Sequence, residues 1–288
     1  MRKINRPPPE VIKQLEGFLE EDIRSGDITT NAMEPLSGDA TATIFSKSKS
    51  ILAGIEEVIA IADLQGLTYE VLVYEGNWVE PGQPVMRIFG AAKILLVIER
   101  VCLNIVQRMS GIATKTYNMV KKAREKNPHV IVAATRKTTP GFRYFEKRAV
   151  QIGGGDPHRY ALDDMVLIKN NHVDVVGSVT TAIQMAKRAV SFSKKISCEA
   201  RNMSEGMEAV SAGADIILLD NFKPDAMREF VQKLKDKGLR EKVLLEASGG
   251  MDENNAADYA ACGIDIISSG SLTHSYKAAD FNMRISLN

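Results

Sequence analysis

Cysteine is scarce. The 288 residues contain three, Cys102, Cys198 and Cys262, far apart and each in an apolar or helical stretch. They form neither a metal-ligand spacing nor an even disulfide set, so a disulfide-stapled secreted domain is excluded and a reducing cytosol is expected. Each reads as a small buried thiol. Net charge is also scarce, with 37 basic residues against 36 acidic ones. A broad surface for nucleic acid or membrane is therefore not indicated, although local patches are allowed. No run of about 18 apolar residues exists, so no membrane span is expected. The N-terminal residues through Pro7-Pro8-Pro9 lack the apolar core of a secretion signal. There is no Gly-x-Gly-x-x-Gly after the first strand and no Walker loop, which argues against a dinucleotide fold. What remains is an ordinary globular composition, 44% hydrophobic and 25% charged. It is long enough for one large domain or two moderate ones.

In chain order, residues 10–21 read as an amphipathic helix with Val11, Leu15, Phe18 and Leu19 on one side. Gly26-Asp-Ile-Thr-Thr30 reads as a turn and a strand start. From 40 to 90 short alternating strands and Gly/Pro-rich turns suggest tight hairpins in a small β-sandwich or half-barrel. This region resembles the barrel-sandwich form of biotinyl and lipoyl carriers. Its Ser46-Lys-Ser-Lys-Ser50 lacks their lysine pattern, so the region is expected to be scaffold. Residues 94–108 read as a buried helix on which Arg100, Asn104 and Arg108 share a face. A buried arginine there needs either a bound anion or an internal acid. Residues 117–126 read as a second helix, and a domain boundary is expected near 110, giving domains 1–110 and 111–288.

The organising stretch is 130–172. Two apolar runs, 130–134 and 165–168, each end in cations: Arg136 and Lys137 after the first, Lys169 after the second. A helical stretch, 142–150, and Gly153-Gly-Gly155 lie between them and lead to His158 and Arg159. Strand, helix, strand reads as a right-handed βαβ unit of a parallel sheet, whose ligands sit at the carboxyl ends of its strands. Five possible cations at one rim call for an anion, because like charges brought together are costly. Further apolar runs at 196–198, 216–219, 243–245 and 264–267 alternate with amphipathic helices. Six such units match a β/α barrel, either left open or closed by the N-terminal domain. The strand ends carry Glu199, Asp220, Ser248-Gly249-Gly250 and Ser269-Gly270-Ser271. Acids on that rim can hold a divalent cation through oxygen. Small residues there expose backbone N–H groups to a phosphate. Against this stand plain alternatives, in which the acids pair with Arg136, Lys137 or Lys169 and Ser248-Gly-Gly is a simple turn.

Thr135-Arg-Lys-Thr-Thr-Pro-Gly141, Gly153-Gly-Gly-x-x-His158-Arg159 and Leu167-Ile-Lys-Asn-Asn-His172 resemble the signature stretches of quinolinate phosphoribosyltransferase. Glu21-Asp-x-x-x-Gly-Asp-Ile-Thr-Thr30, Glu99-Arg-Val-x-Leu-Asn104, Leu218-Leu-Asp-Asn-Phe222, Glu246-Ala-Ser-Gly-Gly250 and Ser271-Leu-Thr-His-Ser275 extend the likeness over nearly the whole chain. The resemblance implies an N-terminal α/β sandwich and an open, incomplete, six- to seven-stranded β/α barrel, the C-terminal tail packing back on the first domain. It implies a homodimer, and a magnesium-dependent pentosyl transfer joining quinolinate to phosphoribosyl pyrophosphate. The products would be nicotinate mononucleotide, carbon dioxide and pyrophosphate, a step of NAD synthesis. By matching position, Thr135, Arg136, Lys137, His158, Arg159 and Lys169 would receive the carboxylates of quinolinate and neighbouring phosphate, with Arg100 reaching in from a partner. Glu199 and Asp220 would bind the ribose hydroxyls and magnesium-bound pyrophosphate. Ser248, Gly249, Gly250, Ser269, Gly270 and Ser271 would hold the 5-phosphate. Lys137, Lys169, Glu199 and Asp220 would carry the catalytic charge. Asn170 stands where many relatives carry Asp.

Three other readings fit part of the pattern. Lys169 at a barrel strand end could be the nucleophile of a Schiff-base aldolase or decarboxylase. A nicotinate phosphoribosyltransferase would omit the decarboxylation, although two ring carboxylates suit five cations better than one. A molybdenum-uptake-associated homologue shares Thr-Arg-Lys and Gly-Gly-Gly-x-x-His-Arg but lacks a lysine matching Lys169.

Overall fold

The computed structural model describes residues 6–33 and 38–288. Residues 1–5, part of the leader read as lacking a signal core, lie outside the described residues. In chain order the elements are α1 (Pro9–Ile23), α2 (Ile28–Ala32), β1 (Asp39–Ser46), β2 (Ser50–Ile51), α3 (Ile55–Leu64), β3 (Thr68–Val71), β4 (Trp78–Val79), β5 (Pro84–Ala91) and α4 (Ala92–Arg124). Then come β6 (Ile131–Ala133), α5 (Arg143–Ile152), β7 (Val166–Ile168), α6 (Asn170–Val176), α7 (Val179–Ala189), β8 (Ile196–Ala200) and α8 (Met203–Ala212). The chain closes with β9 (Ile216–Asp220), α9 (Pro224–Asp236), β10 (Leu244–Ser248), α10 (Ala256–Ala260), β11 (Ile266–Ser268), α11 (Ser271–His274) and β12 (Phe281–Leu287). These form two compact units. The first gathers Met1–Lys115, Pro140–Gly153 and Tyr276–Asn288, and the second Thr116–Thr139 and Gly154–Ser275. The first unit thus also draws in two segments from beyond residue 115.

The first unit is built on a four-stranded sheet in the order β12-β1-β5-β3, antiparallel throughout. Along β1 every second residue is buried, as expected of a strand with one face on a core. The C-terminal β12 pairs with β1 along its whole length, from Ala40 against Leu287 to Ser46 against Phe281. Three expectations change here. Gly26 to Thr30 leads into helix α2 and not a strand: Asp27 caps that helix, its Oδ1 accepting the Thr29 N–H at 3.0 Å. The all-strand reading of 40–90 missed α3, because seven of its ten residues are buried and an all-round apolar run shows no helical stripe. The two helices read at 94–108 and 117–126 are one helix of 33 residues, α4.

Ser110-Gly111 does not break α4, and the glycine has another use. A Cβ at Gly111 would lie 2.9 Å from the Cα of Ala278 and closer still to the Lys277 carbonyl. The C-terminal segment crosses the helix there, the Ala279 N–H donating to Gln107 O at 3.0 Å and Gln107 Nε2 to Phe281 O at 2.9 Å. Gly111→Ala should therefore destabilise by about 1–3 kcal/mol through overpacking, even though alanine is the better helix former by about 1 kcal/mol. A thermal melt should show a midpoint several degrees lower; an unchanged or higher midpoint would contradict this close crossing.

Arg108 carries the internal ion pair, its Nε donating to the fully buried Glu146 at 3.1 Å. Its guanidinium also lies over the rings of Phe142 and Tyr276 at 4.9 and 5.1 Å. Arg100 and Asn104 are exposed, so the polar face of this helix is not buried as a whole. Helix α5 belongs to this unit. Its Arg148 is ringed by Glu56, Glu57 and Glu75, with Nη1 3.0 Å from Glu57 Oε2. Glu75 also accepts the Gly54 and Ile55 N–H groups at 2.7 Å, which caps α3 where Gly54 has no side chain to do so. Burial pushes the Glu57 carboxyl upward.

The second unit holds a six-stranded parallel sheet in the order β6-β11-β10-β9-β8-β7. All five residues of β8 and four of the five of β9 are buried, as in parallel sheets covered on both faces. The expected open β/α barrel is thus present, but its first two strands are not neighbours. They form the two edges of the sheet, and the α5 crossover between them lies in the other unit. Asp156 forms a one-residue parallel bridge with Ala133, its N–H donating to Val132 O and its carbonyl accepting the Ala134 N–H, both at 2.8 Å. That bridge sets His158 and Arg159 beside the end of β6.

Acids at strand starts have a different task from those at strand ends. Asp215 Oδ2 accepts the Ile196 N–H and Asp265 Oδ2 the Leu245 N–H, each at 2.7 Å, tying neighbouring strands at their amino ends. Among the described residues no helix is long and apolar enough to cross a membrane.

Candidate active site

All six strands of the parallel sheet end at one cavity of about 510 Å³, lined wholly by residues of the second unit. After β6 come Thr135, Arg136 and Lys137; after β7, Lys169; at the ends of β8 and β9, Glu199 and Asp220. Ser248, Gly249 and Gly250 follow from β10, and the loop behind the Asp156 bridge adds His158 and Arg159. A polar pocket at the carboxyl ends of parallel strands is where this architecture places ligands.

The pocket has a cationic and an acidic wall. The buried Nε of Arg136 has no hydrogen-bond partner among the described residues. A buried, unsatisfied guanidinium donor is costly, and an incoming anion would relieve it. Arg159 stands close enough that its own burial, and then the charge of Arg136, hold its guanidinium below the ordinary value. Its Nη1 donates to the Met165 carbonyl at 3.2 Å. On the other wall Lys169 Nζ pairs with Glu199 Oε2 at 3.0 Å, which is the plain ion pair that the sequence left open. The Lys169 N–H donates to His172 Nδ1 at 2.8 Å, fixing the start of α6. Burial, and then repulsion from Glu199, raise the Asp220 carboxyl above the ordinary aspartate value. The two carboxylates are thus held together against their mutual repulsion, as at a site for cation or hydroxyl binding.

The phosphate-like loop is shaped by backbone strain. Asn221, Gly249 and Gly250 all have positive φ, 56°, 101° and 66°. The Asn221 N–H donates to Ser248 O at 2.8 Å, and its Nδ2 to Asp220 Oδ2 at 2.9 Å. A Cβ on Gly249 would come within 2.6 Å of Asn221 Cγ, so only glycine fits there.

Four assigned residues lie elsewhere. Ser269, Gly270 and Ser271 do not line the cavity. Ser269 Oγ donates to Met251 O and meets Ser271 Oγ at 2.8 Å, shaping the loop behind it. Gly270 leaves room for Lys137, whose Cδ would be 2.7 Å from an added Cβ. Arg100 lies in the first unit, in a different cavity of about 340 Å³ with Asp22, Asp27 and Leu96. Among the polar lining residues, Asn221, Glu246 and Ser268 had not been assigned. Asn221 and Ser268 stand next to chosen residues at strand ends, and asparagine's tolerance of positive φ was the available signal for Asn221.

Family comparison places both parts of the chain. Residues 27–110 match the N-terminal domain and residues 112–284 the C-terminal domain of "Quinolinate phosphoribosyl transferase". A protein of Archaeoglobus fulgidus described as a probable nicotinate-nucleotide pyrophosphorylase [carboxylating] is 45% identical over 260 residues, covering 90% of this chain and 98% of its own. The human nicotinate-nucleotide pyrophosphorylase [carboxylating] is 36% identical, covering 97% and 93%. The crystal structure of NadC from Streptococcus pyogenes superposes with a TM-score of 0.91 at 34% identity, over 99% of both chains. Human nicotinic acid phosphoribosyltransferase, at 12% identity and a TM-score of 0.59, covering 96% of this chain and 73% of its own, shares the fold alone.

Proposed function

Because the chain belongs to the quinolinate phosphoribosyl transferase family, we propose that this pocket joins quinolinate to phosphoribosyl pyrophosphate with loss of carbon dioxide, in NAD biosynthesis. The observation that carries this reading is the convergence of Arg136, Lys137, Arg159 and Lys169 from three separate segments on one cavity. Quinolinate brings two adjacent carboxylates, and this cluster offers charge-assisted donors for both. The Arg136 Nε is the donor most in need of one.

In the mechanism, pyrophosphate leaves the anomeric carbon of the ribose and the ring nitrogen of quinolinate takes its place. Fixed charges do most of the work. Lys137 and Lys169 meet negative charge gathering on the leaving group, while Glu199 and Asp220 hold the ribose hydroxyls and favour positive charge on the sugar. The Gly249–Gly250 turn, braced by Asn221, presents backbone N–H groups to the 5-phosphate. The adduct is a pyridinium, so its ring accepts the electron pair left when the carboxylate beside the nitrogen departs as carbon dioxide. That carbon then takes up a proton. No general base is required.

The two neighbouring carboxylates, Glu199 and Asp220, fit magnesium, an oxygen-seeking ion. Among the described residues there is no cluster of three or more metal-ligating side chains, so the substrate's phosphates would complete its shell, as is usual for this ion. When bound, it supplies charge neutralisation to the departing pyrophosphate. The exposed Arg100 is the residue through which a second copy would complete the site in a dimer. The scarcity of cysteine supports a cytoplasmic location.

The test is to supply quinolinate labelled at the carboxylate next to the ring nitrogen, with magnesium and phosphoribosyl pyrophosphate. Labelled carbon dioxide and nicotinate mononucleotide should appear in equal amounts; folded protein yielding neither would refute the reading. The raised Asp220 carboxyl also bears on the acid limb of the pH–rate profile of kcat/KM. Its carboxylate takes up a proton at a higher pH than an ordinary aspartate, so activity should fall on acidification before the usual aspartate range is reached. An acid limb confined to that range would count against Asp220 as a required anion.

A further inference from the structure

His158 lines the pocket, yet its ring is already engaged. The residue has φ 54°, in the left-handed region, and its N–H donates to Asp156 Oδ1 at 2.6 Å. Its Nδ1 accepts the Arg159 N–H at 2.8 Å. A ring nitrogen that accepts a hydrogen bond carries no proton, so in the neutral ring the proton is on Nε2. That atom faces Glu246 Oε2 at 3.4 Å. Glu246 is 1% exposed and sits on β10, an inner strand of the sheet.

We propose that His158 is a positioning residue and not a substrate ligand: its ring links Glu246 of β10 to the Arg159 backbone and so aims the Arg159 guanidinium at a substrate carboxylate. In this arrangement the imidazole has no donor left for an anion. Turning Nε2 toward quinolinate would strand a buried carboxylate, which is costly. Glu246 also lies near enough to Arg159 to partly offset the effect of its burial and of Arg136 on its charge. The proposal rests on the phosphoribosyl-transfer reading of the pocket.

The ring itself gives the first test. Nitrogen NMR of the imidazole, assigned by its loss in His158→Asn, should show Nδ1 unprotonated and Nε2 protonated, unchanged by saturating quinolinate. A doubly protonated ring on addition of quinolinate would overturn the proposal. A kinetic cycle gives the second. Asparagine tolerates positive φ and keeps an acceptor at the Nδ1 position, but it has nothing to reach Glu246. His158→Asn should raise the KM for quinolinate several-fold with kcat and the KM for phosphoribosyl pyrophosphate little changed. In an Arg159→Ala background the same change should add less than about 2-fold, because residues acting through one another are not additive. Fully additive losses would instead make His158 an independent ligand. Glu246→Gln, which can still accept from Nε2, should be rescued where Glu246→Ala is not; equal loss in both would contradict the link. An inert wild type would bring down the phosphoribosyl-transfer reading, while the ring's tautomer would still decide this one.

Discussion

Lys137→Ala and Arg159→Ala should each lower kcat/KM for quinolinate by about 30-fold to a few thousand-fold, with the protein still folded. The magnitude follows from removing one partner of a desolvated, hydrogen-bonded charge pair, which costs about 2–5 kcal/mol, with each 1.4 kcal/mol worth tenfold. The fold should survive because Lys137 is exposed and the Arg159 guanidinium is held below its ordinary proton affinity by burial and by Arg136. Removing either should cost little stability, which thermal melts beside steady-state kinetics on quinolinate will check. Full activity in both variants would remove the dianion pocket from this cavity.

Glu199→Gln and Asp220→Asn should act on the other substrate. Each should raise the KM for phosphoribosyl pyrophosphate and lower kcat, together by about 100-fold or more, since deleting one preorganised charged group at a reacting centre typically costs about 2.7–4 kcal/mol. Glu199→Gln has a second consequence: Lys169 keeps an oxygen acceptor but loses its charged partner at 3.0 Å, so its charge is left for the anion. Quinolinate should therefore bind this variant at least as well as the wild type. Titrations of each substrate at several magnesium concentrations separate the two effects. An unchanged response to phosphoribosyl pyrophosphate and to magnesium in both variants would show that the acidic wall serves something else.

The parts of this fold legible in the sequence were those governed by local pattern. Buried parallel strands are continuous apolar runs, so β8 and β9 and the chemistry at their ends could be placed from Ile196 to Glu199 and from Ile216 to Asp220. What escaped depended on contacts between distant residues. Nothing near Ser110-Gly111 reveals that Lys277 and Ala278 cross the helix there, and the stretch read as two helices. The sheet order could not be read either: β6 and β7 follow one another in the chain but form opposite edges. Helix α3 was hidden because Ile55 to Ala62 is buried almost all round. In the site, charge marked out Arg136, Lys137, Arg159 and Lys169. The engagement of His158 by the next residue's amide and by Glu246, 88 positions away, needed coordinates. Family resemblance supplied the roles of Ser269, Gly270 and Ser271, but their side chains and backbone turn to Met251 and Lys137 and shape the pocket from behind.

The central claim is that the basic wall is matched to two carboxylates and not to one. It is tested most directly by measuring kcat/KM for quinolinate and for nicotinate on the same protein, with magnesium and phosphoribosyl pyrophosphate saturating. A site built around two charged groups should reject the analogue lacking one by about 10⁴-fold, because its buried donors are then left unpaired. Comparable values for the two acids would contradict it.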